Sequence, residues 1–193
     1  MKIAIVIPSG DMVHADFTFS LVNMVLHTYQ MRGDIGLCVI NSKSSLVQKG
    51  RWQGVKQALD LDVDKILFID SDQTFPRNAL IKLLESDMQI VGATCCKRVE
   101  PHDWTAKVNG VSLSKKAEGL RIVDTNGFPF CLIDAQVFRD IPEDLWFQVH
   151  VSKGKWMSED ESFCIQANLR GHAIVVDADL SKQIGHIGTK IFI

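Results

Sequence analysis

Apolar residues follow two alternating rhythms along this chain. Short β-branched runs, of which Ile3-Ala4-Ile5-Val6-Ile7 is the first, are separated by segments whose apolar side chains return every three or four residues. A run of this kind closed by a turn suits a strand buried on both faces, and Pro8-Ser9-Gly10 supplies the turn. The stretch 15–31 places Phe17, Leu21, Met24, Val25 and Thr28 at helical spacing and stops at Arg32-Gly33-Asp34. A strand at 37–40, a helix at 46–59 with Val47, Val55 and Leu59 inward, and a strand at 65–69 come next. Pro76 opens a further helix through Leu80, Leu83 and Leu84, and 90–93 reads as a fourth strand. This alternation predicts an α/β protein with a Rossmann-like, mostly parallel central sheet flanked by helices.

The rhythm breaks between Lys97 and Asn126, where Pro101, Gly110 and Gly119 mark a polar loop with a small hairpin around Val111 and Leu120-Arg121-Ile122-Val123. Strand-like runs resume at 129–133 and 145–149. A helix is expected over 160–170, stopped by Gly171, and a last strand over 173–177, ahead of Gly185-His186-Ile187-Gly188. No internal repeat or low-complexity linker interrupts the pattern.

Composition narrows the class. With 193 residues, 46% of them hydrophobic and 23% charged, the chain reads as one globular domain. A formal charge of -2 gives no global electrostatic reason to expect nucleic acid or a membrane surface, so a polyanion site would have to be local. Pro8 cuts the first apolar run short of a secretory segment, and no apolar stretch reaches membrane-spanning length, which predicts a cytoplasmic protein. Five cysteines without any C-x-x-C read as reduced thiols rather than disulfides or a zinc site.

A parallel sheet binds its ligand outside the carboxyl ends of its strands. Pro8-Ser9-Gly10, Asn41-Ser42, Asp70-Ser71-Asp72 and Lys97-Arg98 fall at four such ends. In a strand, residues i and i+2 point the same way, so Asp70 and Asp72 can face one ligand. Carboxylates are hard oxygen ligands suited to Mg²⁺ or Mn²⁺, although Asp is also favoured in turns and helix caps. Neither G-x-G-x-x-G nor G-x-x-x-x-G-K-[ST] occurs, which leaves a nucleotide held through its metal-bound diphosphate.

Lys65-Ile66-Leu67-Phe68-Ile69-Asp70-Ser71-Asp72-Gln73-Thr74-Phe75-Pro76 resembles the strand, DxD motif and helix lead-in of the GT-A fold glycosyltransferases, especially the small family-2-like bacterial and phage type. The resemblance covers most of the chain. It implies a metal-dependent transfer of a sugar from a nucleoside-diphosphate sugar, a UDP-sugar first, to an acceptor hydroxyl with inversion. Residues 1–100 would form the nucleotide-binding half and 101–193 the acceptor half. By resemblance Asp70 faces the ribose and Asp72 holds Mn²⁺ or Mg²⁺, while Pro8, Ser9, Asn41 and Ser71, from their place at strand ends, are expected to line the donor site. Arg51 matches the Arg of an Arg-Asn pair that contacts the nucleotide, with Trp52 in place of the Asn.

Ser158-Glu159-Asp160-Glu161 resembles the Glu-Asp motif at the start of a helix beside the acceptor, which implies Asp160 as general base. Read from the residues alone, Ser158 and Glu161 also make a capping box. His186, flanked by glycines, fits the C-terminal histidine that completes the metal site. Asn126 and Gly127 resemble the turn beneath the donor sugar and are equally a plain Asn-Gly turn.

The basic segment 97–121, with Trp104 inside it, could meet a polyanionic acceptor, and Lys97 and Arg98 could steady the diphosphate; a solvated loop is the alternative. The acceptor stays open among a modified DNA base, a saccharide, a lipid and a protein. Two other functions share the features described: a nucleotidyltransferase acting on a sugar phosphate, and a non-catalytic nucleotide-binding module.

Overall fold

The structure is a computed structural model that describes residues 1–152 and 154–188. In chain order the elements are β1 (Lys2–Ser9), α1 (Ala15–Met31), β2 (Gly36–Lys43), α2 (Val47–Asp60), β3 (Lys65–Ile69), β4 (Gln73–Thr74), α3 (Ala79–Glu85) and β5 (Ile90–Ala93). There follow β6 (Lys107–Val108), β7 (Val111–Ser112), β8 (Leu120–Val123), β9 (Phe130–Asp134), α4 (Ala135–Asp140), β10 (His150–Ser152), β11 (Lys155–Met157), α5 (Glu159–Asn168), β12 (Ile174–Asp177), α6 (Ala178–Ser181) and β13 (Gly185–His186).

Seven strands form the central sheet in the order β2-β1-β3-β9-β5-β12-β8. β1 runs parallel to β2 and β3, and β5 parallel to β12. Period-two alternation divides each buried strand between two apolar layers. Ala4, Val6, Ile66 and Phe68 enter one layer, while Ile3, Ile5, Leu67 and Ile69 enter the other with Phe17 and Met24 of α1 and Leu80 and Leu83 of α3. The first layer is built on aromatic rings: Phe128 stacks on Phe68 at 5.7 Å and meets Phe163 edge-on at 5.4 Å. Rings so interlocked give the Gly127-Phe128 segment a firm floor.

One expectation gains a detail and two are corrected. The 129–133 run does form a strand, but β9 lies antiparallel between β3 and β5 in mid-sheet, so the sheet is mixed within its mostly parallel plan. Only β6 and β7 make the small hairpin, turning at Asn109-Gly110; β8 instead pairs antiparallel with β12 at the sheet edge. The run 145–149 is not a strand: Glu143–Leu145 is a 3-10 turn, and Trp146 and Phe147 are both buried, which adjacent strand residues on a one-sided sheet cannot be. Trp146 Nε1 donates to the Phe138 and Ile141 carbonyls, and this anchors the turn.

Candidate active site

The carboxyl ends of β1 and β3 open on a cleft of about 390 Å³. Because β9 runs antiparallel, its leading turn Gly127-Phe128-Pro129 reaches the same rim, as does the first turn of α5. Pro8, Ser9, Asp70, Ser71, Asp72, Gly127, Asp160 and His186 line this space together. Asn41, Arg51 and Asn126 stand behind the lining. Asn41 accepts a hydrogen bond from the Ser9 hydroxyl at 2.7 Å, and Asn126 is buried with no partner for its amide among the described residues.

The chain turns directly after β3. Gln73 N donates to the Asp70 carbonyl at 3.2 Å, and the side chains of Asp70 and Asp72 part company within that turn. Asp70 belongs to an inner network. Arg51, only 3% exposed, donates from Nη2 to Asp70 Oδ1 at 2.8 Å and from Nη1 to Glu159 Oε1 at 2.5 Å. Its guanidinium also lies 5.3 Å from the centre of the Phe128 ring. Burial disfavours the Arg51 charge, yet Asp70, Glu159 and Asp160 more than offset it and push its pKa upward. Glu159 is pushed above its ordinary carboxylate range by burial, against the pull of Arg51 and with the like charge of Asp160. Two carboxylates thus hold one buried cation, and the charge of Asp160 adds to theirs.

Asp72 belongs to an outer network. Gln73 Nε2 donates to its Oδ1 at 3.0 Å, and Arg98 donates to its Oδ2. His186 stands across from the same oxygen, with Nε2 at 3.5 Å. Its orientation is set by Nδ1, which lies 2.7 Å from the Cys96 carbonyl. A carbonyl can only accept, so Nδ1 carries a proton, and Nε2 is the nitrogen turned toward Asp72. Backbone pairing delivers this histidine to the acidic turn: β13 runs antiparallel to β4 with His186 opposite Gln73, and Ile187 N donates to the Asp72 carbonyl at 2.8 Å. A Cβ on Gly185 would strike the Thr74 hydroxyl, which explains one of the glycines beside His186.

Asp160 lies in the first turn of α5. Its Oδ1 accepts from the Ser158 hydroxyl and from Glu161 N at 2.8 Å. The capping box expected of Ser158 and Glu161 does not form; Glu161 turns instead to Lys107 at 3.4 Å. Oδ2 of Asp160 faces Gly127, 3.3 Å from where a Cβ on that glycine would sit. A side chain at Gly127 would therefore crowd this carboxylate and the Thr105 hydroxyl.

Two participants, Glu159 and Gln73, lie inside the matched motifs but have no role assigned from the sequence. A buried arginine demands carboxylate partners, but nothing in the residue pattern shows Arg51 to be buried. Trp104 is itself buried, its backbone bridged to Cys96, so it offers no exposed ring for stacking a base. The five cysteines are free thiols; Cys95 at the cleft wall is pushed up to about 12 by burial and by Asp70.

No family model matches the chain, and no curated protein matches it in sequence. Solved structures do match. A197 from STIV superposes with a TM-score of 0.61 at 12% identity, covering 100% of this chain and 97% of that one. The fold is of the Rossmann-like GT-A class. Drosophila β1,4-galactosyltransferase 7, solved as a mutant complex with manganese, UDP-Gal and xylobiose, superposes with a TM-score of 0.56 at 13% identity, covering 97% of this chain and 71% of that one. The likeness in fold thus extends over 97% or more of the chain, and the cleft lies at the carboxyl ends of the parallel strands β1 and β3.

Among the described residues, no three His, Cys, Asp or Glu side chains gather as a closed metal cage, and no helix is long and apolar enough to cross a membrane.

Proposed function

We propose that this protein is a metal-dependent glycosyltransferase that moves a sugar from a nucleoside-diphosphate sugar, a UDP-sugar, to an acceptor hydroxyl with inversion. The observation that carries the reading is the pairing of Asp72 with His186. Two ligands at right angles around an ion at ~2.1 Å stand roughly 3 Å apart. The 3.5 Å between Asp72 Oδ2 and His186 Nε2 is close to that separation. Two protein ligands rather than a closed cage suit Mn²⁺ or Mg²⁺ shared with diphosphate oxygens, and the galactosyltransferase neighbour was solved with manganese and UDP-Gal.

Asp72 and His186 would hold the ion, whose chemistry is to neutralise charge on the departing diphosphate. The chain's own groups do the rest. Asp70, fixed by Arg51, is positioned to accept from ribose hydroxyls, with Pro8, Ser9 and Ser71 along the same wall. Asn41 steadies Ser9, and Arg51 acts through Asp70. Arg98, paired with Asp72 in this structure, would be within reach of the diphosphate of a donor bound through Asp72. Asp160, with Oδ1 tied to its own helix start, keeps Oδ2 to take the proton of the attacking hydroxyl. Asn126 and Gly127 form the turn under the sugar. Residues 1–100 thus serve the donor and much of 101–193 the acceptor.

Calorimetry with UDP and Mn²⁺ tests the metal assignment: Asp72→Ala abolishes metal-dependent binding, and undiminished binding refutes it. Mass spectrometry with a panel of nucleotide sugars and acceptors tests the transfer, which releases nucleoside diphosphate. Pyrophosphate released from a nucleoside triphosphate would assign the cleft to nucleotidyl transfer instead.

A further inference from the structure

Helix α1 carries two apolar seams where one would suffice. Phe17, Leu21, Met24 and Thr28 recur at alternating steps of four and three and bury themselves against the sheet and α3. On the opposite side Ala15, Phe19, Val22, Leu26 and Tyr29 recur at the same steps and face solvent. Phe19 is 70% exposed, Tyr29 58%, Leu26 56% and Val22 48%. A four-three repeat of this kind is the pattern that packs one helix against another by knobs into holes. The inner face already anchors the helix, so folding of the monomer leaves the outer seam without a use.

We infer that the outer seam of α1 is a homodimer interface, in which α1 packs antiparallel against α1 of a second copy around a two-fold axis near Val22. That axis sets Phe19 of one protomer beside Leu26 of its partner and Ala15 beside Tyr29. A two-fold interface must be complementary to itself, which like charges would spoil. α1 contains no Lys or Arg, and its one acidic residue, Asp16, lies off the seam. The same absence of basic residues argues against a membrane surface, where amphipathic helices flank their apolar face with Lys and Arg.

The area also suits a second copy. With aromatic side chains offering roughly 150–250 Å² each, Met12, Phe19, Val22, Leu26 and Tyr29 present on the order of 600 Å² per protomer. Doubled, this reaches the lower end of specific interfaces, about 1,200 Å².

Sedimentation velocity on the full chain tests the inference. At about 100 µM, within the affinity span of interfaces this size, the wild-type chain sediments as a dimer. Leu26→Glu weakens the dimer by at least ~30-fold, while Ile122→Glu, at an exposed apolar site on the far sheet edge, leaves it intact. A second measurement needs no destabilising charge: Val22→Cys forms a disulfide-linked dimer under mild oxidation, and Ile122→Cys does not. A wild-type chain that stays monomeric at that concentration overturns the inference. So does a dimer indifferent to Leu26→Glu that fails to cross-link through V22C, or a monomer that floats with phosphatidylcholine–phosphatidylserine vesicles through this helix.

Discussion

His186 presents Nε2 to Asp72 Oδ2 at 3.5 Å, while the other ring nitrogen is held on the Cys96 carbonyl at 2.7 Å. The two residues lie far apart in the chain and meet only because β13 docks on β4. A histidine whose Nδ1 is held by a backbone carbonyl is oriented to offer Nε2 to a metal ion. His186→Ala should lower Mn²⁺ affinity in the presence of UDP by at least ~10-fold, measured by calorimetry, with the far-ultraviolet spectrum unchanged. Equal affinity in the variant would remove the histidine from the metal site.

Arg98 competes for the same carboxylate. Its guanidinium donates to Asp72 Oδ2 from a half-exposed position, where an ion pair is worth roughly 0–1 kcal/mol. An incoming divalent cation must displace it. Arg98→Ala should therefore raise affinity for Mn²⁺ alone by up to about 5-fold, yet weaken binding of UDP with Mn²⁺ because a partner of the diphosphate is gone. A parallel gain in both titrations would show that Arg98 only obstructs the site.

The buried acids make stability depend on pH with an uncommon sign. Burial raises the folded pKa of Glu159 above its ordinary 4.5, so immediately above that value the unfolded chain loses the proton before the folded one does. Glu159 thus contributes stability at low pH that is lost as pH rises through its folded pKa. Asp34, lowered to about 2 by its hydrogen bond from Arg32, acts in a separate window, losing its contribution as pH falls below 3.8. Urea denaturation across the window above 4.5 should show a steeper decline with pH for wild type than for Glu159→Gln. Coincident slopes would mean that Glu159 is ionised without cost in the folded protein.

Much of the architecture was legible because it rests on local periodicity. The helix expected over 15–31 is α1, and the run 65–69 is β3, each with the bounds the pattern implied. What the pattern could not show is tertiary. β9 is an apolar run like its neighbours, and no feature of Phe130–Asp134 reveals that it inserts antiparallel between β3 and β5. Trp146 and Phe147 looked like strand residues because aromatics favour strands, and the aromatic cluster overrode that preference. At the cleft, the acidic turn stood out because carboxylates after a buried strand are conspicuous. The burial of Arg51 did not, since a long-range pair with Glu159 leaves no trace in spacing.

Asp160 is the residue on which the proposed transfer turns, and its surroundings allow a clean separation of structure from chemistry. Oδ1 secures Ser158 and the Glu161 amide at the start of α5, a duty that the carbonyl oxygen of an asparagine can also perform. What asparagine cannot do is accept a proton at the position of Oδ2, beside Gly127. Asp160→Asn should thus keep the melting temperature and the UDP–Mn²⁺ affinity close to wild type while slowing transfer by roughly 10²–10⁴-fold. A variant that turned over at the wild-type rate would leave Asp160 a helix-start residue and send the search for a base elsewhere along the cleft.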